Sequence, residues 1–186
     1  MGFHTYDPED AENLEDDSRY ARLSREELLS ALDLDGDETV ADLGSGTGFY
    51  TDDVAPHASR VYAVDVQEEM HDLYREKGVP GNVELVEAEV SGLPFEDSSL
   101  DASFSTMTFH EFAGPEALEE LGRVLKPGAK LVIADWSANG TADSGPPLKE
   151  RYTAREAEQM LEDHGFKVRR KEERVETWKI FCMLPS

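Results

Sequence analysis

Short apolar runs and amphipathic stretches alternate along most of this chain. Residues 39–43, 60–65, 83–88, 100–106 and 130–135 are apolar runs of strand length, Val61-Tyr62-Ala63-Val64 among them. Stretches with helical spacing lie between them, at about 48–55, 67–77 and 115–125. Pro115 suits the first turn of the last of these, and Lys126-Pro127-Gly128 reads as a turn before the fifth strand. Upstream, Ser24-Arg25-Glu26-Glu27 has the spacing of a capping box, followed by the apolar face Leu28, Leu29 and Leu32 and the turn Asp35-Gly36-Asp37. Thr153-Ala154-Arg155-Glu156 repeats the signature and opens a helix to His164, with Gly165 as its stop. Residues 166–174 and 177–184 read as two closing strands. The link between them is too short for a crossover helix, so they must pair as an antiparallel hairpin. The expected fold is α/β: a doubly wound, mostly parallel seven-stranded sheet with an antiparallel C-terminal hairpin strand.

Residues 1–36 comprise an acidic leading segment, with scattered Phe3, Tyr6 and Tyr20, and the first helix; residues 37–186 carry the main domain. A length of 186 residues suits one domain overall. No run is apolar enough for a bilayer, and the polar, acidic start does not read as a signal or transit peptide. The single cysteine, Cys182, excludes an intramolecular disulfide framework, and the expected compartment is a reducing cytoplasm. His4, His57, His71 and His164 are scattered and make no metal-binding spacing, so no metal is expected.

Charge changes the picture more than composition does. There are 41 acidic and 18 basic residues, for a net charge of −23, and the acids are spread over the whole chain. Self-repulsion at this density opposes compaction in dilute buffer. Molar salt shortens the Debye length to roughly 3 Å and removes most of that cost. The balance points to a halophilic protein and away from nucleic-acid partners, which call for basic faces.

Val40-Ala41-Asp42-Leu43-Gly44-Ser45-Gly46-Thr47-Gly48 carries the most chemistry. It is a strand that ends in a glycine loop and runs into a helix. Glycines let the backbone turn sharply and approach a ligand closely. Asp42 at the loop edge repels pyrophosphate and attracts an ammonium. Asp65 ends the second strand, about 20 residues on, where such sheets place an acid against ribose hydroxyls. Phe49 stands where a dinucleotide fingerprint needs its third glycine, and no Gly-Lys-Ser/Thr follows for a phosphate P-loop.

With these residues in place, the chain resembles a class I S-adenosylmethionine-dependent methyltransferase of the small-molecule type, a Rossmann-like fold, over residues 37–184. The likeness rests on the D-x-G-x-G-x-G loop and on Val61-Tyr62-Ala63-Val64-Asp65. It also rests on Glu89-Val90-Ser91-Gly92-Leu93-Pro94-Phe95 with Leu100-Asp101-Ala102-Ser103-Phe104, and on Leu121-Gly122-Arg123-Val124-Leu125-Lys126-Pro127-Gly128. It departs from the family pattern at Glu89, where Asp is more usual, and at Leu100, where Phe is. The resemblance implies S-adenosylmethionine as cofactor. Asp42 would then meet the methionyl ammonium, directly or through water. Gly44, Ser45 and Gly46 would pass under the methionine part. Asp65 would hold the ribose, Val66 the adenine face, Glu89 the adenine amino group and Val90 N–H a ring nitrogen. Thr106 would lie near the sulfonium.

The acceptor belongs after the fourth strand, at Thr108-Phe109-His110-Glu111-Phe112. His110 titrates near neutrality and is a candidate general base, with Glu111 orienting it or acting in its place. The alternative is that the two phenylalanines pack the core while His110 and Glu111 satisfy backbone groups. Trp136 is a candidate wall of the acceptor pocket, Ser144-Gly145-Pro146-Pro147 a candidate cover, and Tyr6 or Tyr20 a cover for the cofactor. The expected partner is a small-molecule methyl acceptor, with no membrane and no nucleic acid. Two other readings remain open at this stage: a nicotinamide-dependent oxidoreductase, and a cofactor-binding module without acceptor chemistry. The charge reading has its own test in thermal unfolding against KCl. The midpoint is expected to rise steadily toward molar salt, and a flat or falling midpoint would refute the halophilic assignment.

Overall fold

The computed structural model describes residues 6–186; Phe3 and His4 lie outside the described residues. Seven strands form one sheet: β1 (Thr39–Leu43), β2 (Arg60–Asp65), β3 (Val83–Glu87), β4 (Leu100–Thr106), β5 (Leu125–Trp136), β6 (Lys167–Glu173) and β7 (Thr177–Met183). Their order is β3-β2-β1-β4-β5-β7-β6. Strands β1 to β5 pair in parallel, and β7 runs antiparallel to both β5 and β6. The sheet is the mostly parallel, Rossmann-like arrangement expected, with the reversed strand one place in from the edge. The switch point falls between β1 and β4, where parallel sheets bind their ligands.

Among the described residues six α-helices accompany the sheet: α1 (Arg25–Leu32), α2 (Phe49–Val54), α3 (Glu68–Lys77), α4 (Phe109–Phe112), α5 (Pro115–Val124) and α6 (Ala154–Asp163). Both expected capping boxes form: Ser24 and Glu27 bond reciprocally at α1, and Thr153 and Glu156 at α6. Each satisfies donors that the first helical turn leaves open. The sequence pattern missed α4, whose single turn is too short to show a period. It also ended a turn at Gly128 where the structure has continuous strand from Leu125 to Trp136. The pairing explains both readings. Leu125 pairs with Leu100 and Lys130 with Ala102, so the Lys126-Pro127-Gly128 stretch bulges out between two bonded positions.

Side-chain alternation along the strands builds two cores. Val40, Phe104, Val132 and Ala134 join Leu28 and Leu32 of α1 and Val54 of α2. Ala41, Leu43, Leu131 and Ile133 join Leu118 and Leu121 of α5 and Leu161 of α6 on the other side. The same alternation turns Asp42 toward α2 and Asp135 toward α4.

The leading segment forms two 3-10 helical stretches, Pro8–Glu15 and Asp17–Ala21. It is tied to the domain at several points. Tyr50 Oη donates to Leu23 O at 2.8 Å, Gln67 Nε2 to Tyr6 O at 3.0 Å, and Thr47 Oγ1 bonds Glu15. Lys77 Nζ reaches Glu15 at 3.1 Å. Buried Lys179 of β7 pairs with Glu27 of α1, which Arg174 also contacts at 2.6 Å.

Gly48 has φ +82, and a Cβ there would stand 2.1–2.6 Å from the ring of buried Tyr74. Gly48, the N-cap of α2, thus lets that helix start directly against Tyr74 of α3. Gly48→Ala combines left-handed strain with overpacking, a loss of about 2–4 kcal/mol. In a chain of this size it should lower the Tm by more than about 5 °C. Gly92→Ala, whose Cβ meets nothing within 4 Å, should leave the Tm nearly unchanged in the same calorimetric scan.

Candidate active site

The carboxyl ends of β1, β2, β4 and β5 open into a cavity of about 750 Å³, within the range for small-molecule sites. The glycine loop forms one wall. Gly44 and Ser45 both donate to Val64 O, at 2.8 and 2.9 Å, and Gly46 N–H donates to Asp65 Oδ2 at 2.8 Å. Gly44 and Gly46 both have positive φ, and a Cβ on Gly44 would strike Thr108 at 2.4 Å. The loop therefore needs glycine for its turn and for its seat against the β4 end.

Nearly all the expected cofactor residues come together here. Gly44, Ser45, Gly46, Asp65, Val66, Glu89, Val90 and Thr106 line the cavity. Asp65 is almost buried, and its Oδ1 accepts from Gln67 N at 3.0 Å. Two carboxylate oxygens offer about four acceptor positions, so ribose hydroxyls can still be accommodated. Asp42 is the exception. It stands behind the loop, off the cavity wall. Its Oδ2 accepts from Thr51 Oγ1 at 2.6 Å, while Oδ1 is buried without a partner. Burial pushes its carboxyl up to about 7, against the Thr51 hydrogen bond and the charge of Arg19. Ser45 Oγ is a second unpartnered buried oxygen, and it is on the wall. Of the two, only Ser45 Oγ is placed to meet a polar ligand in the cavity.

The other end of the cavity holds His110 and Glu111. Asp135, fully buried at the end of β5, accepts from His110 N at 2.6 Å and from Trp136 N at 2.8 Å. His110 Nδ1 lies 2.9 and 3.0 Å from its two oxygens. A carboxylate can only accept there, so Nδ1 carries the proton and Nε2 is left as the basic nitrogen. The orienting acid is thus Asp135. Glu111, the expected orienter, lies 3.9 Å from Nε2. Burial opposes the charged form of His110, but the Asp135 hydrogen bond and charge outweigh it and hold its pKa above the ordinary value. Burial pushes the Glu111 carboxyl up to about 7; His110 opposes this, and Asp135 and Asp65 add to it.

Phe109 is fully buried against Trp178, while Phe112 reaches the cavity. Trp136, Ser144, Gly145, Pro146 and Tyr6 are also wall residues, as expected for a cover. Tyr20 is not on the wall; it stacks on Phe49 at 4.8 Å and donates to Asp53 at 2.8 Å. Sequence reasoning missed Arg19 and Arg22, which line the cavity from the leading segment, and it passed over Asp135 as a partner for His110. Its one available signal for Asp135 was an acid at a strand end. Among the described residues no cluster could hold a metal ion, and no helix is long and apolar enough to cross a membrane.

The sequence pattern of the methyltransferase domain matches residues 41–133. A crystal structure of a SAM-dependent methyltransferase from Aquifex aeolicus is 37% identical, with a TM-score of 0.86 over 97% of this chain and 100% of that one. An uncharacterized methyltransferase-like protein of Schizosaccharomyces pombe is 40% identical over 120 residues, 63% of this chain and 44% of that protein. A demethylmenaquinone methyltransferase of Clavibacter sepedonicus is 36% identical over 102 residues, 54% of this chain and 42% of that protein. The chain thus spans less than half the length of these two curated relatives. The matched pattern covers half of the chain and contains the glycine loop, Asp65 and the β4 end, and the chain belongs to the methyltransferase-domain family, the class I methyltransferases that use S-adenosylmethionine as cofactor.

Proposed function

We propose that this protein transfers the methyl group of S-adenosylmethionine to a small-molecule acceptor. The observation that carries the reading is the single cavity shared by the glycine loop with Asp65 at one end and the Asp135–His110 pair at the other. Loop backbone, Asp65, Val66, Glu89 and Val90 would hold the cofactor, and Arg19 stands where it can meet the methionyl carboxylate. Its guanidinium is half-buried, over the rings of Phe49 and Tyr50 and within electrostatic reach of Asp42. Asp42 acts from behind the loop by charge, favouring an ammonium on the cavity side. When bound, S-adenosylmethionine supplies an electrophilic methyl group on sulfur.

The protein's part is to align a nucleophile, exclude water and take up a proton. His110 Nε2 is the base for that proton. Asp135 holds the ring in the required tautomer and stabilises the imidazolium that forms. Glu111, held close to neutral pH by burial, can share the proton with Nε2. The leading segment and the 144–146 loop cover the cavity and keep water out. The halophilic and cytoplasmic assignments belong to the same proposal, supported by the distributed negative charge and the lone buried Cys182.

Calorimetry with S-adenosylhomocysteine and with NAD in molar KCl tests the cofactor directly. Binding of the first and not the second is expected, and the reverse would overturn the reading. The pH dependence tests Asp42. A cationic ligand favours its ionised form, so binding should release a proton. Affinity should climb between about pH 5.5 and 7.5 and level off above the free-enzyme value of about 7. Asp42→Asn should flatten that climb, and Glu111→Gln should not.

An acceptor screen following S-adenosylhomocysteine release, with a quinone among its members, then tests the base. His110→Ala should lower turnover by about a hundredfold with cofactor binding intact, and a change below about threefold would leave the histidine structural. The rate should rise with pH through a value above 6.5, where His110 loses its proton. Asp135→Asn should move that inflection downward.

A further inference from the structure

Two arginines of the leading segment face the same cavity, and the cofactor accounts for only one. Asp17–Ala21 is 3-10 helical, and Arg22 N–H donates to Arg19 O at 2.9 Å, so residues three apart stand on one side. Arg19 lies at the glycine-loop end, over Phe49 and Tyr50 at 4.9 and 5.2 Å. Arg22 lies at the other end, 4.7 Å above the Trp136 ring, next in sequence to Asp135.

Trp136 itself is firmly held. Arg151 sits 5.2 Å from its ring, and the buried guanidinium of Arg151 is consumed by the carbonyls of Pro146, Ser137 and Ser144 and by Glu176 at 3.5 Å. Gly145 approaches so closely that a Cβ would stand 2.5 Å from the indole. Arg22 differs from Arg151 in its looser setting: Asp16, also on the cavity wall, feels its charge without forming a contact ion pair. Among the described residues its guanidinium makes no hydrogen bond and no ion pair, and it is only half-buried. In a chain of net charge −23, a cavity-lining guanidinium that forms no contact ion pair is conspicuous. The indole holds the guanidinium at the cavity wall, where its N–H fork can grip a carboxylate with two parallel bonds.

We propose that Arg22, held over the Trp136 ring, binds a carboxylate of the methyl acceptor and so selects anionic acceptors. This rests on the methyl-transfer reading above. It makes Arg22 a specificity residue of the acceptor subsite and leaves the cofactor carboxylate to Arg19.

The probes are 4-hydroxybenzoate and its neutral isostere 4-hydroxybenzamide, titrated calorimetrically with and without S-adenosylhomocysteine at the lowest KCl that keeps the protein folded. Wild-type protein should bind the carboxylate about tenfold more tightly than the amide, a preference that weakens as salt is added. Arg22→Gln should erase the preference while S-adenosylhomocysteine affinity stays within about twofold. Arg22→Lys, which keeps the charge but not the fork, should retain part of it. Near-ultraviolet circular dichroism confirms that each variant is folded. The proposal is overturned by equal binding of the two probes to wild type, by a preference that survives Arg22→Gln, or by loss of S-adenosylhomocysteine binding in that variant. Failure of wild type to bind S-adenosylhomocysteine would instead refute methyl transfer, and the probe pair read without it would still report on Arg22.

Discussion

Asp65 Oδ2 accepts the N–H of Gly46 at 2.8 Å, and Oδ1 accepts that of Gln67 at 3.0 Å. Hydrogen bonds to a charged acceptor are worth about 1.5–3 kcal/mol each, more than neutral ones. Together with the Gly44 and Ser45 bonds to Val64 O, they fasten the glycine loop of β1 to the end of β2. The loop wall, the start of α2 and the entry to α3 are all set by this contact. A carboxylate that is a candidate ribose ligand is thus also the clamp on the backbone that would hold the rest of the nucleoside.

A second buried carboxylate does comparable work across the switch point. Asp135 binds two backbone N–H groups as well as His110 Nδ1, so the single turn of α4 is pinned to the end of β5. Strand alternation turns Asp42 to the α2 face and Asp135 to the α4 face, and Asp65 ends β2, the neighbour of β1. Burial raises the cost of keeping Asp42 and Glu111 ionised, and Asp65 adds to it for both, Asp135 for Glu111. Bound cations, a methionyl ammonium or the nearby arginines, relieve that cost. The cavity's polarity and the protein's taste for a cationic cofactor have the same origin.

Much of this was legible in the sequence because it is local. Gly44, Gly46 and Gly48 lie within five residues, and the strand before them and the helix after them are short-range patterns. The capping boxes at Ser24 and Thr153 span four residues each and formed as read. The antiparallel hairpin followed from the length of one link. Errors fell where local rules meet tertiary pairing. The Lys126-Pro127-Gly128 stretch does turn, yet β4 bonds the chain on both sides of it, so the strand continues.

The sequence by itself determined the α/β alternation, the glycine loop, the acid at the end of β2 and the excess of negative charge, because each is expressed over a few neighbouring residues or by composition alone. Only the tertiary structure decided which acid orients His110, since Asp135 lies 25 residues away and meets it through parallel strand pairing. Only the tertiary structure set Asp42 behind the loop rather than on the cavity wall. It alone brought Arg19 and Arg22 over the cavity, because the leading segment carries no periodicity that foretells where it docks. Side chains that meet across a sheet or from beneath a cover owe their geometry to packing, and packing is written in no single stretch of the chain.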